Sequence, residues 1–166
     1  MSDPYWYLIA ELNSSDEPFL WEMLYQAIYV PAGSIAPPRQ IVNKPELSRY
    51  VEQWGLENDF GLKAMSTVDR QPLGAAWLRL MTGENRGYGY IDDFTPELSI
   101  AVLREHRGKG VGTRLLNELF KSVAGKYKAI SLSVSDDNPA KRLYQRLGFE
   151  IVSHEGTSLT MKKNLT

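Results

Sequence analysis

Apolar and polar positions along this chain follow two periods, and the switches between them mark the elements. Residues 5–10 are a short apolar run that predicts a strand. Over residues 16–30 the period becomes helical, with Leu20, Met23, Leu24, Ala27 and Ile28 on one stripe. Ser14, Ser15 and Asp16 offer capping oxygens ahead of it. Pro31, Gly33, Pro37 and Pro38 then break the pattern and predict a loop reaching Pro45. Leu47, Tyr50, Val51 and Trp54 mark a second, short helix, and Gly55 is its stop. Strands are expected over 60–67 and 73–81, joined as a hairpin by Asp69-Arg70-Gln71-Pro72.

Residues 83–94 form a polar connection carrying glycines and tyrosines, before an apolar strand at 98–103. A helix over 112–124 buries Leu115, Leu116, Leu119, Phe120 and Val123. Ile130, Leu132 and Val134 alternate with serines and predict a strand over 129–134. A helix over 138–147 follows, with Asn138 as its cap and Pro139 in its first turn. Residues 149–153 and 158–162 close the chain as two strands. Strand, two helices, three strands, helix, strand, helix, two strands is the order of a mixed α/β sheet covered by helices.

Composition narrows the function. The chain has 166 residues, enough for one domain spanning 1–166, and 43% of them are apolar. A formal net charge of −1 supplies no global positive field, so no nucleic-acid partner is expected. There is no cysteine, hence no disulfide framework, no thiolate metal site and no cysteine nucleophile. Neither a secretory signal nor an apolar run of membrane length is visible, which points to a cytoplasmic protein with no membrane partner. His106 and His154 lie far apart with no ligand spacing, so no metal is expected.

The chemistry concentrates where the 98–103 strand runs into Arg107-Gly108-Lys109-Gly110-Val111-Gly112 and a helix follows at once. A helix begins with backbone N–H groups that lack internal partners, and its dipole adds positive charge there. Glycines at 108, 110 and 112 clear the side chains that would keep an anion away, while Arg104, Arg107 and Lys109 add charge at the mouth. That combination suits a diphosphate. Thr113 stands where the dinucleotide motif needs its third glycine, and the P-loop spacing is absent as well. On glycine content alone, a plain tight turn competes with a phosphate cradle.

Arg107-x-x-Gly110-x-Gly112, set between an apolar strand and an amphipathic helix, resembles the acyl-coenzyme A loop of the GNAT superfamily of N-acetyltransferases. Asn138-Pro139-Ala140-x-x-Leu143-Tyr144-x-x-x-Gly148-Phe149 is similar to that superfamily's second signature, at the expected distance. The resemblance implies a mixed sheet of about six or seven strands, splayed between the fourth and fifth and flanked by about four helices. It implies acetyl-coenzyme A as co-substrate and no metal. The pantetheine arm is expected along Ala101, Val102 and Leu103. The pyrophosphate is expected on the amides of Arg107, Gly108, Lys109, Gly110, Val111, Gly112 and Thr113, with Asn138 also touching the coenzyme.

In the family the acetyl group passes directly from thioester to amine within a ternary complex. The resemblance makes Tyr144 the acid for the departing thiolate, against a plain packing role beside Leu143 and Leu147. Glu97 matches a place where relatives hold a base acting through water. Asp92 and Asp93 are runners-up, as base or as an attraction for a cationic amine, and water alone is a third route. His106 and His154 read as surface residues. Trp21, Tyr25 and Tyr29 recur every fourth position and suggest an aromatic wall for the acceptor. The acceptor is a small-molecule amine or a peptide amine, and a homodimer is the expected assembly. A coenzyme sensor without turnover, or transfer of a longer acyl chain, are the competing functions.

Overall fold

Along residues 6–165, which the computed structural model describes, the elements follow the expected order. They are β1 (Tyr7–Glu11), α1 (Glu17–Gln26), α2 (Pro45–Ser48), β2 (Phe60–Ser66), β3 (Pro72–Arg79), β4 (Glu97–Val102), α3 (Val111–Val123), β5 (Ala129–Ser135), α4 (Ala140–Arg146), β6 (Glu150–Glu155) and β7 (Ser158–Asn164). Tyr5, where the first strand was expected to open, lies outside the described residues. The seven strands form one mixed sheet in the order β1-β2-β3-β4-β5-β7-β6.

Two antiparallel units make up this sheet. Strands β1 to β4 pair in succession, and β5, β7 and β6 pair in the second unit. They join through one parallel pair, Glu97 opposite Ser131, where the Ser131 amide donates to the Pro96 carbonyl at 3.0 Å. Beyond that pair β4 and β5 part, which is the splay the family resemblance implies.

Alternation along the strands divides the core into two layers. Ala76 and Leu78 of β3 face α3, whose Leu115, Leu116 and Leu119 are fully buried. Ala75 and Trp77 face the other way, onto Leu20, Met23 and Leu24 of α1 and onto Tyr50, Val51 and Trp54. A buried ion pair locks this second layer. Arg79 binds Asp59 in a fork at 2.7 and 3.0 Å, and also donates to the carbonyls of Arg49 and Glu52.

Several boundaries differ from expectation. Helix α1 stops at Gln26 rather than at residue 30, because Pro31 disfavours helical backbone before it and Arg107 takes up the Gln26 carbonyl at 3.3 Å. The 31–45 loop contains a 3-10 turn, Arg39–Asn43. Helix α2 is a single turn followed by hydrogen-bonded turns, so Tyr50, Val51 and Trp54 are held by tertiary packing. Among the described residues no helix is long and apolar enough to cross a membrane, and no group of three His, Asp or Glu could hold a metal.

Candidate functional site

The glycine loop leaves β4 through a short 3-10 turn, Arg104–His106, and ends at the first residue of α3. Gly108 and Gly110 have φ of +74° and +85°, a left-handed backbone that side-chain residues avoid, and a Cβ at either would meet open space. Gly110 stands at the cap position of α3 and offers no side chain to its amides. The N-terminus of a 13-residue helix therefore opens outward, uncovered. Arg107 braces the loop: its Nε donates to the Val102 carbonyl at 2.8 Å, and its Nη2 reaches α1. Lys109 lies over the Trp6 ring at 5.3 Å.

The splay holds a cleft of about 320 Å³, lined by Leu98, Ser99 and Ile100 of β4 and by residues 132–135 of β5. Leu103 gives its amide to the Leu73 carbonyl of β3, and the β3/β4 register has no shift. Ladder alternation then turns the backbone groups of Ala101 and Leu103 toward β3, and those of Leu98, Ile100 and Val102 toward the cleft. Of the three residues expected to pair with a coenzyme arm, only Val102 has that orientation, and Arg107 occupies its carbonyl.

Glu97 sits at the closed end of the cleft, 5% exposed. Burial pushes its carboxyl up to about 7, despite hydrogen bonding from Tyr50 and from the Gly89 amide that favours the charged form. The Tyr50 hydroxyl donates to Glu97 Oε2 at 2.5 Å and accepts from the Tyr88 amide at 2.8 Å. Burial, then the adjacent carboxylate, raise the Tyr50 phenol far above its usual range. The other oxygen, Oε1, and the Ser131 hydroxyl across the seam have no well-formed partner among the described residues. A Cβ on Gly87 would fall 2.6 Å from Tyr50 Oη and closer still to Glu97 Oε1. On Gly89 it would fall 2.8 Å from the Leu132 backbone. The sequence pattern alone does not single out Tyr50, Gly87, Tyr88 or Gly89, although the spaced glycines and tyrosines of 87–90 were the available signal.

Tyr144 and Asn138 reach the same cleft from the β5 side. The Tyr144 ring meets Phe149 edge-on at 5.9 Å, and burial lifts its hydroxyl to about 12. Asn138 accepts the Ala140 amide at 2.9 Å, so it caps α4 from just outside the helix.

Other candidates lie apart. Asp92 is held by the amide of Phe94, and that bond with others from Thr95 keeps its carboxyl below the usual range. Asp93 accepts from the Tyr90 hydroxyl and is exposed. Neither lines the cleft. Of the aromatic series Trp21, Tyr25 and Tyr29, only Tyr29, which lies past the end of α1, does; Trp21 bonds Glu17, and Tyr25 bonds the Pro37 carbonyl. His106 is half-buried against Trp6 rather than exposed, and His154 is exposed.

A family model described as an acetyltransferase (GNAT) domain matches residues 67–151, just over half of the chain. No curated protein matches the sequence significantly. Solved structures share the fold at low identity. The PaiA N-acetyltransferase of Thermoplasma acidophilum, in complex with coenzyme A, is 20% identical with a TM-score of 0.67, over 95% of this chain and 98% of that one. The ribosomal-protein-S18-alanine N-acetyltransferase of Escherichia coli is 16% identical with a TM-score of 0.65, over 96% and 94%. A spermidine N-acetyltransferase chimera of Vibrio cholerae SpeG and hSSAT is 17% identical with a TM-score of 0.63, over 97% and 96%.

Proposed function

The chain belongs to the GNAT acetyltransferase family, and on that premise we propose that it transfers an acetyl group from acetyl-coenzyme A to a primary amine by direct attack in a ternary complex. One observation carries this reading: an open helix N-terminus and a parted pair of strands lead to a buried carboxylate and a phenol in one cleft. The left-handed glycines, beside which even a Cβ would meet nothing, fit a diphosphate on the amides of residues 108–113. The outward-turned groups of Leu98 and Ile100 fit a linear amide-bearing arm, and Asn138 lies beside it. When bound, the coenzyme supplies an acetyl group activated as a thioester.

The chain's own residues handle the protons. An ammonium has no lone pair, so the acceptor must first lose a proton. Glu97 is suited to take it, directly or through a water held by Oε1 and Ser131, because its carboxyl titrates near neutral pH. Above about pH 7 it is a free base; below, it is already protonated, and the rate falls with pH. Tyr144 keeps its proton at neutral pH and can give it to the departing sulfur. An amide of β4 that faces the cleft offers a hydrogen bond to the thioester oxygen. The acceptor approaches past Tyr29, Leu47, Tyr50 and Tyr88, and its class is a small-molecule or peptide amine. A base and an acid facing one cleft are superfluous in a coenzyme sensor.

Calorimetric titration with acetyl-coenzyme A, native against Gly110→Glu, tests the reading. Binding lost in the variant, followed by amine-dependent thiol release with spermidine, lysine peptides or N-terminal alanine peptides, is the expected result. No binding by the native protein would return the loop to an ordinary turn.

A further inference from the structure

By spacing, Tyr50 is one more apolar position of a short helix, yet its hydroxyl ends on the Glu97 carboxylate. Both residues are buried, at 6% and 5% exposure. The phenol oxygen is shared by two partners. The Tyr88 amide can only donate, and it donates to Tyr50 Oη at 2.8 Å. An ionised Glu97 can only accept, so in that state the single phenolic proton points to Oε2, 2.5 Å away. A hydrogen bond to an ionised oxygen is of the charge-assisted kind.

The scaffold behind Tyr50 is rigid. Trp77 Nε1 donates to its carbonyl at 3.0 Å. Arg79 grips the carbonyls on either side, Arg49 at 3.0 Å and Glu52 at 2.7 Å, while Asp59 holds Arg79 from behind. Arg79 also stands opposite Glu97 in the β3/β4 register. Its guanidinium is committed to Asp59 and to those carbonyls, so the carboxylate receives a neutral donor in place of a cation. A cation would hold Glu97 as a weak, permanently charged base. The other groups seen to act on Glu97 are the Gly89 amide and, across the seam, Ser131 on β5, and neither brings charge. On the loop side, Gly87 leaves no room for a Cβ against Tyr50 Oη and Glu97 Oε1.

We propose that Tyr50 is a positioning residue of this site: its hydroxyl holds the Glu97 carboxylate in one orientation, favours its charged form, and fastens residues 87–89 against it. This rests on the reading of Glu97 as the base. The hydroxyl's two hydrogen bonds go to Glu97 and to the Tyr88 amide, so its effect on the reaction runs through Glu97.

The test reads Glu97 directly and needs no acceptor. Protein labelled with 13C at the glutamate carboxyls is titrated by NMR, with Glu97→Gln identifying the signal. The native midpoint is expected near 7. In Tyr50→Phe, which keeps the ring, it should rise by about one pH unit, since a lost hydrogen bond to a charged group is worth at least that much. Placing 3-fluorotyrosine at position 50 strengthens the donor and should lower the midpoint, which keeps the test alive if Tyr50→Phe fails to fold. An unmoved midpoint, or a fall in Tyr50→Phe toward the ordinary value of 4.5 as water enters, overturns the inference. A native midpoint already at 4.5 overturns it together with the base reading; one near 7 that ignores Tyr50 sinks the positioning role alone.

Discussion

Replacing Glu97 by Gln should change how folding stability depends on pH. The folded chain holds the Glu97 proton more tightly than the unfolded chain, with a midpoint of about 7 against the ordinary 4.5. Between those values the folded state keeps a proton that the unfolded state has lost, so stability falls as pH rises. The stabilisation is complete below pH 4.5 and gone above about pH 7. At 1.36 kcal/mol per pH unit the interval amounts to ~3 kcal/mol. Glutamine has the same shape, still accepts from Tyr50 and does not titrate. Urea unfolding of both proteins at several points from pH 4.5 to 8 gives two stability curves. Their difference, variant minus native, should climb by ~3 kcal/mol across the series, or about 6 to 12 °C in Tm. Any constant cost of the amide cancels in the slope of that difference. Parallel curves would refute the reasoning, because a carboxylate costing nothing to ionise is not desolvated.

Tyr144→Phe should lower turnover by about 10²- to 10⁴-fold, the usual worth of a positioned acid, while acetyl-coenzyme A binds with nearly unchanged Kd; equal turnover would reduce Tyr144 to packing against Phe149. Asp59→Ala should destabilise by about 3–5 kcal/mol, because it strands the buried Arg79 charge. A loss below about 1 kcal/mol in urea unfolding would mean that Arg79 finds water or another anion.

What the sequence made legible was local. The glycines at 108 and 110, the Asn138 cap and the stripe on α3 each express a rule that works within a few residues, and each stands where the pattern put it. The shortened α1 was half legible: Pro31 was in view, whereas the Arg107 side chain that meets Gln26 comes from 81 residues away. Glu97 could be proposed only through the family resemblance, because its partner Tyr50 lies 47 residues upstream and reads as core. Asp92 and Asp93 show the converse. Two adjacent acids look chemical in a sequence, but one closes a turn on Phe94 and the other accepts from Tyr90. Side-chain commitments of this kind depend on which neighbours the tertiary fold delivers.

The lone Glu97–Ser131 pair gives the sheet four edges instead of two. An unpaired edge invites other strands, and proteins generally blunt it with charge, twist or a cover. The inner edges of β4 and β5 face each other across the cleft, whose lining also includes Leu24 of α1 and Tyr144 of α4. The outer edge at β6 has no such shelter. All six of its residues are exposed, Ile151 and Val152 among them, and protection falls to Glu150, His154 and Glu155. Backbone hunger for hydrogen bonds is thus harnessed at the centre of the sheet and restrained at its rim, so crowding and self-association will be felt first at β6.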